Sequence, residues 1–289
     1  MTFNPNANVG GNRARRRGAG AAVAGGGIAG IGALAVILFQ LFTGTDISGL
    51  VPSVPQPGGG AESEIEQCET GADANTRDDC RLAAGSGVLD EYWVGQVQGY
   101  RAPELIVVDG QTPTQCGTAS NRTGPFYCPP EETVYVDPTF FALMRERFGA
   151  SAGELAQLYV LAHEYGHHVQ YITGIMEQHP SNGTGPDSNG VRMELQADCF
   201  AGAWVGSLPE QRDENGVPYF DPVTPQQIAD ALHAAGTVGD DHIQQQSGGV
   251  VNPESWTHGS SEQRQGWFQA GYQNGLSECD TFAVSGRDL

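Results

Sequence analysis

Lysine is missing from this chain of 289 residues, so every fixed positive charge is an arginine. Only 14 arginines stand against 34 acidic residues, and the net charge is −20. A chain this acidic repels nucleic acid and anionic lipid surfaces, which sets aside a DNA- or RNA-binding role. Internal repeats are lacking. So is C-x-x-C spacing among the six cysteines, which argues against a cysteine-held zinc site. Glycine is plentiful at 41 residues, so loops should be generous. The length allows one sizeable core with appendages or two small domains.

Charge is unevenly placed. Arg13, Arg15, Arg16 and Arg17 precede every acidic residue, whereas the chain after Thr43 holds 10 arginines against 34 acids, a balance of −24. Between them Gly18–Phe42 carries no charge, long enough for a membrane-spanning helix. The arginines before it predict a cytoplasmic N-terminus and an exported remainder. The alternative is a cleaved export signal, at which Arg15 and Arg16 hint, but "ILFQLFTGTD" offers no small-x-small cleavage site. The expected organisation is a basic cytoplasmic tail (1–17), a transmembrane helix (18–42), a Pro/Gly-rich tether (43–67) and an extracytoplasmic domain (68–289), hence a single-pass protein of the cell membrane. Cys68, Cys80, Cys116, Cys128, Cys199 and Cys279 all lie on the exported side and suggest disulfides. Cys68–Cys80 and Cys116–Cys128 are the local candidates, leaving Cys199–Cys279, though six cysteines allow many pairings.

"LIVV" (105–108) and "TVYV" (133–136) read as strands. "DPTFFALMRERFG" reads as a helix stopped by Gly149, and 151–173 as a longer one capped by Ser151 with Glu154 completing a capping box. A loop follows, then helices from about Val191, from Thr224 as cap, and from Ser260, which forms a capping box with Gln263.

The helix over 151–173 carries "HEYGH". Four residues turn a helix by about 400°, so His163 and His167 emerge on one face, one turn apart, where two imidazoles can hold one zinc ion. Glu164 can then reach a water at the metal without being a ligand. His168 is rotated by about 100° off that face and reads as a packing or carbonyl-bonded residue. The flanks "LYVLA" and "HHVQYI" are largely apolar, and buried histidines need partners. A catalytic zinc takes a third protein ligand. In "ELQAD", Glu194 and Asp198 again share a face; Glu194 suits the third ligand, and Asp198 can accept an Nδ1–H from a ligand histidine and fix its tautomer.

With "GPFYCP", "VYVDPTFF", "AHEYGHHVQ", "ELQADCFAGAW" and "WTHGSSEQRQGWF" in this order, the sequence resembles the bacterial putative neutral zinc metallopeptidase family over roughly residues 86–285. The resemblance implies a single-pass anchored protein with a zincin-like catalytic domain, and the E-x-x-A-D motif is similar to that of gluzincin peptidases. The expected fold is α+β: a small, mostly antiparallel sheet packed on helices, zinc beneath an edge strand, and Thr133–Val136 as that edge. A peptide would pair with this edge. His258 could donate to a developing oxyanion or merely pack; Tyr171 is a poorer candidate for the same task. Asp240 and Asp241 could hold a loop or a calcium ion, but adjacent acids are more often a solvated turn. His179, His233 and His242 lack metal spacing. The expected function is a membrane-anchored zinc endopeptidase with one Zn2+ per chain, Glu164 as general base and a peptide or protein as substrate. The alternatives are a zinc amidase on cell-wall peptides and a scaffold with structural zinc. Glu164 favours an enzyme, because a structural site has no use for it, and no wall-binding repeat supports the amidase.

Overall fold

The computed structural model describes residues 3–11, 14–18, 62–148, 153–246 and 248–289. Seven strands are described: β1 (Arg15–Gly18), β2 (Glu62–Glu64), β3 (Glu104–Asp109), β4 (Gln111–Thr114), β5 (Gly117–Ser120), β6 (Phe126–Cys128) and β7 (Thr133–Val136). Five form one sheet in the order β2-β1-β3-β7-β6, while β4 and β5 make a separate hairpin. β3 alternates faces with period two. Leu105 and Val107 enter the main core with the helices, and Ile106 and Val108 join Ala119, Cys128 and Tyr135 on the other face. A strand covered on both faces reads as an unbroken apolar run, which is why "LIVV" stands out in the sequence.

That pattern also marks parallel neighbours, and the expected mostly antiparallel sheet is corrected here. Within the five-stranded sheet β3 runs parallel to both β1 and β7, and β1–β2 and β6–β7 are antiparallel, as is the separate β4–β5 hairpin. Parallel strands need a long crossover, and residues 110–132 supply it between β3 and β7. The expected edge is corrected as well. β7 lies inside the sheet, registered against both β3 and β6, and β6 ends it.

Nine α-helices are described: α1 (Gly71–Thr76), α2 (Asp78–Gln96), α3 (Phe140–Phe148), α4 (Glu154–Ile172), α5 (Ile175–Gln178), α6 (Asn189–Ser207), α7 (Pro225–Thr237), α8 (Asp240–Gln246) and α9 (Ser261–Asn274). The capping boxes at Thr224–Gln227 and Ser260–Gln263 both form. For α4 the cap is Gly153, without a side-chain bond; Ser151 lies outside the described residues. α2 escaped the sequence reading because Leu82–Leu89 is buried nearly all round, leaving no amphipathic stripe. α6 and α9 pack backbone to backbone: a Cβ at Gly202 or Gly271 would meet Phe268 O or Cys199 O at 2.0 and 1.9 Å.

The N-terminal expectation is overturned. Among the described residues no helix is long and apolar enough to cross a membrane. Of the run expected to span one, residues 19–42 lie outside the described residues. The described strands before and after it, β1 and β2, pair antiparallel in one sheet. Residues expected as a detached tail belong to the body: Phe3, Ala7, Val9 and Ala14 are buried in the main core, and Asn4 N–H donates to Tyr219 O at 2.9 Å. Arg15 and Arg17 pair with Glu62, and Arg16 with Asp79. A tail held in the domain's own sheet cannot lie across a membrane from it, and the single-pass topology is withdrawn. Three disulfides join Cys68 to Cys80, Cys116 to Cys128 and Cys199 to Cys279.

Candidate metal centre

α4 and α6 cross where both are small. A Cβ on Gly166 would lie 3.0 Å from Ala197 Cα and 3.1 Å from its Cβ. Gly166 sits between His163 and His167, and Ala197 between Glu194 and Asp198, so this approach brings the two motifs face to face. His163 Nε2 lies 3.2 Å from Glu194 Oε2, and His167 Nε2 lies 3.5 Å from Glu194 Oε1. One ligand atom from each of the three residues falls within 4.8 Å of the others, and no other such group is found among the described residues. Ligand atoms placed tetrahedrally at the usual Zn–N and Zn–O lengths are roughly 3.3–3.5 Å apart, so this set fits one zinc ion with little movement.

Each histidine is held by its other nitrogen. His163 Nδ1 donates to Asp198 Oδ1 at 2.8 Å. Asp198 is fully buried and accepts also from Tyr159 Oη (2.6 Å) and from Arg264 Nε and Nη2 (2.7 and 3.0 Å). Burial opposes its charge, but Arg264 and His163 outweigh that and hold its carboxyl below the usual range. Burial likewise pulls His163 down, and the carboxylates of Asp198 and Glu194 win, raising it to about 10. Without metal, His163 is therefore a cation between two carboxylates, and a divalent ion would displace its proton. His167 Nδ1 donates to Gln170 Oε1 at 2.8 Å.

Glu164 is 7 % exposed, and among the described residues no protein group bonds or ion-pairs with its carboxylate. His168 is fully buried: its Nε2 donates to Arg101 O (2.6 Å) and its Nδ1 accepts from Tyr127 Oη (3.0 Å), so it ties α4 to β6. Burial pushes its pKa down, as suits a neutral ring. His258 stands on the loop before α9. Asp240 Oδ2 accepts three successive main-chain N–H groups, from Thr257, His258 and Gly259 (2.7, 2.6 and 3.0 Å), and Asp240 Oδ1 lies 3.3 Å from His258 Nδ1. Asp240 thus holds a loop rather than forming a solvated turn. Burial disfavours a charged His258, yet Glu194 and Asp240 raise it above the ordinary histidine value. Tyr171 is exposed at 38 % and lies 6.2 Å from the Tyr127 ring. His179 stacks on Phe282.

Sequence reasoning missed Arg264, Tyr159, Gln170, Gln196 and the hold of Asp240 on the His258 loop. Polar residues inside apolar helices were the available signal for the two glutamines. Arg264 and Asp240 meet partners far away in sequence, where no local signal exists.

A His-Glu-x-x-His helix completed by a glutamate from the next long helix offers two imidazoles and one carboxylate, a donor set that suits a zinc ion. The chain belongs to the putative neutral zinc metallopeptidase family, whose model matches residues 4–282. An uncharacterized protein of Mycobacterium tuberculosis is 47% identical over 224 residues, 77% of this chain and 76% of its own length. The uncharacterized protein YpfJ of Escherichia coli K12 is 38% identical over 265 residues, 87% and 86% of the two chains. No solved structure matches the chain.

Proposed function

We infer that this chain is a zinc-dependent endopeptidase with one zinc ion held by His163, His167 and Glu194, and with Glu164 as general base. The carrying observation is the contrast inside one helix turn. His163 and His167 point Nε2 at the Glu194 carboxylate, while Glu164 beside them is buried and has no protein partner. A carboxylate beside the ligand histidines with no protein donor bound to it is free to accept a proton from water, and a structural zinc site has no such need. Zinc, when bound, supplies Lewis acidity toward a scissile carbonyl and acidifies water at its open position.

Glu164 takes a proton from the attacking water at a carboxylate oxygen and passes it to the leaving amine nitrogen. Asp198 keeps His163 in the Nδ1–H tautomer, and Arg264 keeps Asp198 ionised. His258, with its Nδ1 toward Thr257 Oγ1 (2.9 Å) and Asp240, has Nε2 left to donate to the developing oxyanion. β6 ends the sheet beside α4, to which His168 and Tyr127 fix it. An extended peptide adding to that edge would lie along the ligand helix.

Glu164→Gln keeps shape but removes the base. Turnover of a peptide library should fall by about 10²–10⁴-fold, with zinc content unchanged. Turnover within a few-fold of the parent refutes the role of Glu164. Loss of zinc together with turnover makes Glu164 structural and restores the scaffold reading.

A further inference from the structure

We propose that Gln170 and Gln196 form a positioning relay that fixes His167 for metal binding and ties this ligand to the disulfide-anchored main chain at Cys279. The proposal rests on the zinc reading above. Taken singly, a carboxamide or an imidazole can be assigned in either sense. This chain of groups ends on main-chain carbonyls, which can only accept, and they set the direction throughout.

Gln196 Nε2 donates to Cys279 O at 2.9 Å, which leaves Gln196 Oε1 facing Gln170. Gln170 Nε2 has two hydrogens and donates both, to Met193 O at 2.7 Å and to Gln196 Oε1 at 3.1 Å. Gln170 Oε1 is then turned to His167 Nδ1, 2.8 Å away, and that nitrogen must carry the proton. The Nε2 lone pair is left for the metal, on the side of Glu194. No member of the relay can be reversed without setting an N–H against an N–H or an oxygen against a carbonyl. Gln170 is fully buried and Gln196 nearly so, so water cannot replace a lost partner cheaply.

The two ligand histidines are thus held by different chemistry. His163 leans on a carboxylate neutralised by Arg264; His167 leans on neutral amides. Both arms converge on neighbouring residues of α6. Asp198 precedes Cys199, whose disulfide to Cys279 anchors the carbonyl that orients Gln196. Met193 likewise precedes Glu194, so the acceptor for Gln170 moves with the third ligand.

The test uses the full chain loaded with Zn(II), with affinity read by chelator competition and histidine states by 15N NMR. In the parent, His167 should be metal-bound through Nε2, with an Nδ1 proton that exchanges slowly. Gln170→Leu should lower zinc affinity by about 10–100-fold and release that proton to rapid exchange. Gln196→Leu leaves the Met193 contact and should lose less. Unchanged affinity with an unchanged Nδ1 signal in folded Gln170→Leu overturns the relay. Should that variant fail to fold, the parent decides: attachment through Nδ1, or a rapidly exchanging Nδ1 proton, overturns it equally. A parent that binds no zinc fails the site reading itself, which is a distinguishable result.

Discussion

Asp198→Asn is the sharpest perturbation this site offers. The carboxylate accepts four bonds, from Tyr159, from His163 and twice from Arg264, and its residue is fully buried. Asparagine has one accepting oxygen and turns an amide donor toward groups that are all donors. Arg264, 4 % exposed, is left as an almost unpaired cation; Glu194 Oε2 stands 4.0 Å from it. Breaking a buried ion pair from one side costs about 3–5 kcal/mol, a large part of the roughly 5–15 kcal/mol that holds a domain folded. For a chain of this size the melting temperature should fall by on the order of 10 °C. Zinc affinity should fall by about 10–100-fold, because His163 loses the acceptor that fixes its tautomer. Urea unfolding of the metal-free protein reads the first effect, and chelator competition the second. Asp198→Asn combined with Arg264→Met removes the stranded cation and should regain part of the stability but none of the zinc affinity. A stability loss below about 1 kcal/mol with unchanged zinc affinity would refute this account, since that is the range of an ordinary surface pair.

Gly166→Ala should destabilise by about 1–3 kcal/mol through overpacking against Ala197 and should weaken zinc binding, because it moves Glu194 away from both histidines; urea titration and chelator competition check both. In metal-free protein, His163 is raised from the usual histidine value to about 10. Its contribution to stability is full below the unfolded value of about 6.5 and is lost as pH rises through about 10, so metal-free unfolding free energy should decline across that window while zinc-loaded protein holds level.

Much of the site was legible because it is local. Helical spacing alone puts His163 and His167 on one face and Glu194 and Asp198 on another, and their apolar flanks demand that both faces be buried. The cap at Thr224 and the capping box at Ser260 were readable for the same reason, since a cap is decided within four residues. α2 was not readable, because a helix buried on nearly every side has no polar face to give it a period.

What the sequence determined by itself, then, was which side chains share a turn of helix. Tertiary structure decided which helices and strands meet. Sheet order follows from partners far apart in the chain, so Thr133–Val136 reads as a strand from its own residues but lies inside the sheet only because Phe126–Cys128 pairs beyond it. The first arginines illustrate the same division. Ahead of an uncharged run their composition signals a membrane crossing, yet Arg15 pairs with Ile106 across the sheet and their charges find Glu62 and Asp79. Arg264 reaches Asp198 across 66 positions, and Asp240 holds His258 across 18. Such contacts form only when the chain closes on itself, because the energy that selects them, the cost of a buried charge without a partner, does not exist until burial does.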